Sequence, residues 1–159
     1  MWFVELFFLI PVWESFYFYW IHRLLHVPVL YRHVHALHHR NINVGPWSGL
    51  SMHPVEHAIL LGSVLIHWVV AAHPVHLLYH MQYLTLTAAT THCGFEGVAI
   101  KNENRLKLGT FHHQMHHRYF ECNYGSLEVP WDKLFGSFHD GTAGADARMK
   151  ERRKRIMGG

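Results

Sequence analysis

Histidine spacing constrains this chain more than any other feature. Within Phe111-His112-His113-Gln114-Met115-His116-His117, four imidazoles fall in six residues. On a helix, His113, His116 and His117 stand at i, i+3 and i+4 and share one face, from which neutral ring nitrogens can point at a metal. The spacing recurs at His35, His38 and His39, and His22 and His26 stand at i and i+4. Three such elements in one chain predict a metal protein and, with it, an enzyme. His92 lies where the chain returns from a long apolar excursion and makes a ninth candidate ligand. A structural zinc closes at four ligands and a catalytic one at three plus water, so this set exceeds one ion and implies two. Imidazole alone leaves iron, zinc, copper and nickel open. The sequence has no His-Glu-x-x-His for a zinc protease and no Glu-x-x-His for a carboxylate-bridged di-iron bundle.

The charges are as unevenly placed as the histidines. All 14 Lys and Arg residues lie in Arg23–Arg40 and Lys101–Arg155, bracketing uncharged apolar runs. A nucleic-acid binder of this basicity should show a basic face with interleaved polar contacts, so nucleic acid is excluded as a partner. The pattern reads instead as a membrane protein obeying the positive-inside rule. Residues Trp2 to Ile21 make a first span of about 20 residues, roughly 30 Å as a helix, with Glu5, Glu14 and Pro11 marking a side that faces protein. It lacks the basic start and small-residue cleavage site of a signal peptide. The helix should run on through His22 and His26 to Val27-Pro28. A shorter helix is expected over Leu30–Arg40 and a loop over Asn41–Ser51. Residues Val55–Ala72 and Pro74–Thr91 read as two apolar helices of about 18 residues, a spanning or re-entrant hairpin that goes in and comes back. That places every histidine box on the side holding the Lys and Arg residues. Beyond it, Lys101–Lys107 reads as a charged loop, Thr110–Phe120 as a helix and Asn123-Tyr124-Gly125 as a turn. The fold class expected is all-α: a membrane helical domain over residues 1–145 whose cytosolic-side helical cap carries a dimetal site, followed by a basic tail over 146–159.

The order His22-x3-His26, His35-x2-His38-His39, His92, His113-x2-His116-His117 resembles the fatty acid hydroxylase and sterol desaturase superfamily of membrane di-iron enzymes. Asn123-Tyr124-Gly125 and Trp131-Asp132-Lys133-Leu134-Phe135-Gly136 are similar to the segment after the last histidine box in its sterol C-5 desaturase-like branch. The resemblance covers roughly Tyr17 to Phe138. It implies that the nine histidines hold two iron ions, and that dioxygen and two electrons are used to hydroxylate or desaturate a lipid of sterol or fatty-acyl type. It also implies an integral membrane protein with its site on the cytosolic side, in the endoplasmic reticulum or a bacterial inner membrane. No Gly-x-Gly-x-x-Gly, cysteine cluster or haem domain is present, so an electron donor in trans, of cytochrome b5 or ferredoxin type, is implied. Only 21 residues precede His22, fewer than members of this family usually carry, which suits a fragment or a pared-down member. Some members have a further histidine where Glu96 stands here, making Glu96 a candidate ligand or acceptor for an imidazole.

The remaining polar candidates are weaker. His53 and His57 stand at i and i+4 and suit capping or supporting roles as well as metal. His112 adjoins the last box but is out of phase with its face, and Asp132 is a candidate supporting carboxylate. His73, His76 and His80 share a helical face as polar residues of the far side or the hairpin interior, and His67 reads as a buried histidine with its needs met. His33 and His139 carry no spacing signal. The rival function is a membrane metal-binding or transport protein, which should place its ionisable groups near the bilayer midplane rather than at helix ends on one side.

Overall fold

The computed structural model describes residues 2–100 and 104–157. Helix α1 spans Trp2–Leu25 and continues through Pro11. A turn at His26-Val27 leads into α2, Pro28–His33, with Pro28 in the first turn, where its missing N–H costs nothing. The Leu30–Arg40 helix expected from the sequence is divided: α2 stops at His33, and His35–Arg40 winds as a 3₁₀ helix. Another 3₁₀ turn, Ser48–Leu50, precedes α3, Pro54–Leu61.

The first apolar run is not one continuous helix. Helix α3 has 8 residues, and Gly62–Trp68 continues as 3₁₀. Gly62 is needed because a Cβ there would sit 2.6 Å from the Tyr17 hydroxyl. Donors from α1 satisfy carbonyls at the change of winding: Tyr17 Oη donates to the Ile59 carbonyl (2.7 Å) and Trp13 Nε1 to that of Ser63 (3.0 Å). The return run, α4, is continuous over Pro74–Thr91. Both inbound and return helices start at a His-Pro-Val sequence. His53 and His73 act as N-caps, their Nδ1 atoms accepting the N–H of Val55 and Val75, so capping is the role the structure gives His53.

Contacts along α1 fix the packing. Trp13 and Tyr17 meet Ser63 and Ile59 in descending order, whereas Phe3 and Glu14 meet His76 and His80 in ascending order. The segment 54–68 therefore runs antiparallel to α1, and α4 runs parallel to it. Both ends that carry histidine ligands, the C-terminus of α1 and that of α4, reach the same end of the bundle.

The second half of the charged loop expected over Lys101–Lys107 is a strand, which pairs with the residues just before that loop. Strands β1, Gly97–Ile100, and β2, Asn104–Lys107, pair antiparallel with Gly97 opposite Lys107 and Val98 opposite Leu106; residues 101–103 lie outside the described part. Helix α5, Thr110–Tyr119, follows, then α6, Trp131–Leu134, and α7, Ala143–Met157. The fold is thus mostly helical, with one short hairpin added to the helices expected, and the tail beyond Asp146 belongs to a helix. Among the described residues, α1 is the one helix long and apolar enough to cross a membrane. Its outer face exposes Trp2, Phe8, Leu9, Val12, Phe16 and Trp20.

Candidate metal centre

Four segments deliver the histidines to one end of the bundle. His22 and His26 come from the end of α1, His35, His38 and His39 from the 3₁₀ helix, His92 from the C-cap of α4, and His113, His116 and His117 from α5. Thr110 pins the start of α5 to the end of α4, its hydroxyl lying 3.1 Å from the Thr90 carbonyl and 2.9 Å from that of Phe95. Gly109, with φ of 78°, makes the sharp entry.

The nine side chains fall into two groups. His22, His26, His35, His39 and His116 form one, and His38, His92, His113 and His117 the other, with ligand atoms in each group within 4.8 Å of one another. A single-face reading of the boxes is corrected by this division. In each His-x2-His-His box the i and i+4 residues stay together while the middle histidine crosses over. His35 and His39 go to the first group and His38 to the second; His113 and His117 go to the second and His116 to the first.

Ring nitrogens meet inside each group. Nε2 of His116 lies 3.1 Å from Nε2 of both His26 and His39, and those of His39 and His35 are 3.0 Å apart. In the second group, Nε2 of His117 lies 3.1 Å from that of His113 and 3.3 Å from that of His92. The outer nitrogens decide what the inner ones carry. Nδ1 of His22 donates to the Tyr124 carbonyl (2.7 Å), Nδ1 of His116 to that of Cys122 (2.7 Å) and Nδ1 of His92 to that of Ala88 (2.8 Å). Nδ1 of His35 donates to Glu56 Oε1 at 2.7 Å. A carbonyl or carboxylate can only accept, so these four rings hold their hydrogen on Nδ1 and turn a bare Nε2 lone pair inward. Buried lone pairs facing a common point have no protein donor to satisfy them all, and a cation fits the arrangement.

Electrostatics agree. Burial, reinforced by neighbouring imidazoles, lowers His26 and His117 to about 2. Burial also lowers His92 to about 4, and His38 to about 4 despite the opposing pull of the Glu56 carboxylate. His113 and His116 are pushed well down by the same causes. All six are neutral near pH 7, the form that binds metal.

The loop after α5 is built to present carbonyls. Asn123 has φ of 53°, a left-handed conformation asparagine tolerates, and its side chain donates to the carbonyls of His112 and His139. Asp132 accepts the N–H of Tyr124 (2.9 Å) and of Gly125 (2.8 Å) and the Ser137 hydroxyl. It thereby holds the turn whose Tyr124 carbonyl orients His22. A Cβ on Gly125 would sit 3.0 Å from Asp132 Oδ2.

Other candidates are placed elsewhere. Glu96 is exposed, accepts the Phe111 N–H at the start of α5 and joins neither group. His112 stacks on Phe138, with Nε2 3.6 Å from Asp132 Oδ2. His57 lines the cavity described below. His139, which has no spacing signal, is fully buried; its N–H donates to Asn123 Oδ1 and its Nε2 to Asp146. Glu56 is the functional residue that sequence reasoning missed. It is buried against His35, and its one signal is an isolated acid, between His53 and His57, inside an otherwise uncharged run.

A cavity of about 220 Å³ lies against the centre. His22 and His35 from one group and His38, His92 and His113 from the other line its end, and Phe18, Leu25, Leu60 and Leu84 line its walls. An apolar chain therefore has a place directly beside both groups.

Comparison with known proteins gives the same picture. A family model described as fatty acid hydroxylase matches residues 7–137. A Delta(7)-sterol 5(6)-desaturase of Gibberella zeae is 35% identical over 121 residues, covering 75% of this chain and 37% of the relative. The corresponding Saccharomyces cerevisiae protein is 34% identical over 120 residues, covering 76% and 32%. A C-4 methylsterol oxidase of Schizosaccharomyces pombe is 33% identical over 142 residues, covering 84% and 46%. The chain spans about a third to a half of the length of the desaturases it matches. No solved structure matches it.

Proposed function

Since the chain belongs to the fatty acid hydroxylase family, we propose that it is a membrane oxygenase that binds two iron ions through its nine clustered histidines and oxidises a lipid of sterol type. The observation that carries this reading is the pair of inward-turned imidazole groups beside an apolar cavity. When bound, the metal pair supplies dioxygen activation: one dioxygen, two electrons and two protons convert a C–H bond to an alcohol and water, or a CH–CH unit to a double bond and two waters.

The chain's own residues prepare for this. Carbonyls of Tyr124, Cys122 and Ala88 and the Glu56 carboxylate fix the imidazole tautomers before any metal arrives. The apolar walls exclude water and hold a hydrocarbon against the centre. The lipid-facing side of α1 and the hairpin of α3 and α4 seat residues 1–145 in the bilayer, with the histidines and the basic segments on the cytosolic side and the helix beyond 146 as an appendage. Electrons come from a separate donor of cytochrome b5 or ferredoxin type. Names of the relatives favour oxidation of a sterol over metal transport.

The test is anaerobic purification with iron reconstitution, followed by addition of dioxygen, reductant and candidate sterols. About two irons per chain and a product gaining oxygen or losing two hydrogens are expected. A single tight zinc, with no activity on iron loading, would overturn the reading.

A further inference from the structure

Glu56 uses one carboxylate oxygen and leaves the other free. Its Oε1 accepts the Nδ1–H of His35 at 2.7 Å. The side chain is buried, and Oε2 has no protein partner. Among the described residues that line the cavity beside the metal centre, it is the one buried side-chain oxygen in that position. Other polar side chains of the cavity are tied to the protein. Glu14 accepts His80 Nε2, Ser15 accepts Ser126 and Trp131, and Thr91 donates to the Thr87 carbonyl. His67 Nδ1 is also buried without a partner, which corrects the expectation that His67 has its needs met, but His67 lines a different, outer groove.

The bare oxygen sets the chemistry of what can sit against it. A carboxylate oxygen can only accept. Buried without a donor, it costs free energy that a ligand recovers only by bringing a hydrogen. A ketone or an ether brings none. A free fatty acid would set its own carboxylate against that of Glu56. An ammonium brings hydrogens, but also a positive charge toward imidazoles that suit metal cations. An alcohol brings one O–H and no charge.

We propose that Glu56 Oε2 accepts the hydroxyl of the lipid substrate, so that this chain oxidises a lipid alcohol close to its hydroxyl group. The proposal rests on the oxygenase reading and names the polar group by which that site would know its substrate. Position follows from the same carboxylate. His35 bridges from Glu56 Oε1 to its own Nε2, which lies 3.0 Å from Nε2 of His39. A hydroxyl on Oε2 is therefore one carboxylate and one imidazole ring away from the inward-turned nitrogens. The C–H bond presented to the centre lies a few bonds from the hydroxyl carbon, not at the far end of the lipid. The remaining hydrocarbon lies along Phe18, Leu25, Leu60 and Leu84. No proton or electron moves in this contact; Glu56 binds and orients.

Glu128 is the rival acceptor. It lines the same cavity and takes the Tyr83 hydroxyl, but it is exposed. Water reaches its other lone pairs, so a substrate hydroxyl exchanges one hydrogen bond for another there and gains little. At Glu56 no such exchange is made, because the oxygen is buried.

The test compares ligands within one protein, so a variant's lower metal content or stability does not enter the ratio. Tritiated cholestanol is bound to the metal-free and the iron-loaded protein under nitrogen, with cholestanone, cholestanol methyl ether and the corresponding amine as competitors. The wild-type protein should bind the alcohol about tenfold or more tightly than the ketone or the ether, the size of a hydrogen bond to a charged acceptor. In Glu56→Gln the amide oxygen keeps the His35 N–H, and the amide nitrogen, a donor, takes the place of Oε2. The preference over the ketone should vanish or reverse there and persist in Glu128→Gln. A wild-type protein indifferent to the hydroxyl would overturn the proposal, as would an undiminished preference in Glu56→Gln or one lost in Glu128→Gln instead. Tighter binding of the amine than of the alcohol would overturn it too. If Glu56→Gln does not fold, the wild-type and Glu128→Gln ratios decide. Alcohol selection through Glu56 in an iron-loaded protein that oxidises no lipid would sink the oxygenase reading and leave the hydroxyl site standing.

Discussion

A histidine whose Nδ1 is committed to a carbonyl has one lone pair left, and where it points decides its use. His116 is the clearest instance, with Nδ1 on Cys122 and Nε2 between His26 and His39. His116→Ala should therefore abolish turnover and remove at least one iron per chain, read by metal analysis; full lipid-oxidising activity in this variant would contradict the enzyme reading. Glu56→Gln keeps an acceptor near His35 but weakens it, and should lower metal affinity or activity about 10–100-fold, measured by competition with a chelator. The lowered histidines also set an acid limit. His38 and His92 titrate near 4 in the folded chain, against roughly 6.5 when unfolded, so the unfolded chain binds more protons between those values. Stability of the metal-free protein should be whole above pH ~6.5 and fall as pH drops toward 4, followed by thermal melts; a flat profile there would contradict it. Eight of the nine clustered histidines were legible from spacing, and His92 from its place where the apolar run returns. Glu56 and the carbonyls of Tyr124, Cys122 and Ala88 were not, because what they do is defined only once distant segments meet.

At the scale of elements, sequence periodicity located helices better than it described their winding. The runs at 55–72 and 74–91 look alike in hydropathy, yet only the second is one helix. The first changes to 3₁₀ where Gly62 lets Tyr17 approach, a contact between residues 45 positions apart that no local pattern announces. The box at 35–39 is 3₁₀ for a comparable reason, since α2 ends at His33 and the rings must reach two groups at once. The antiparallel pairing of 97–100 with 104–107 was not announced, because four-residue strands are too short to show an alternating pattern and the charges from Lys101 onward read as loop. Close packing between elements gives a sharp test at Gly49. A Cβ there would lie 2.3 Å from the Ala88 carbonyl and 3.0 Å from His92 Nδ1. Gly49→Ala should cost about 1–3 kcal/mol of stability as an overpacking change. It should also weaken metal binding, because it displaces the carbonyl that orients His92. A variant with unchanged melting temperature and metal content would show that the 48–50 turn does not brace the centre.

For the whole molecule, the three-way packing of α1, the 54–68 segment and α4 brings the C-terminal ends of α1 and α4, which carry His22, His26 and His92, to one pole. With the exposed apolar face of α1 in a bilayer, Arg40 and Lys107 should lie on one side of the membrane and His73 deep or opposite. Single cysteines placed beside Arg40 and Lys107 should label from the same side, and labelling from opposite sides would refute the hairpin topology. The crossing of the two middle histidines has a further consequence for how the protein fills. Each box straddles both groups, so settling the first ion stiffens the 35–39 and 113–117 segments that the second ion also needs. Loading should then be cooperative: titration of the metal-free protein, followed by native mass spectrometry, should show mainly empty and doubly filled chains. A dominant singly filled species at half-saturation would mean that the two groups act as independent traps, despite sharing their backbone.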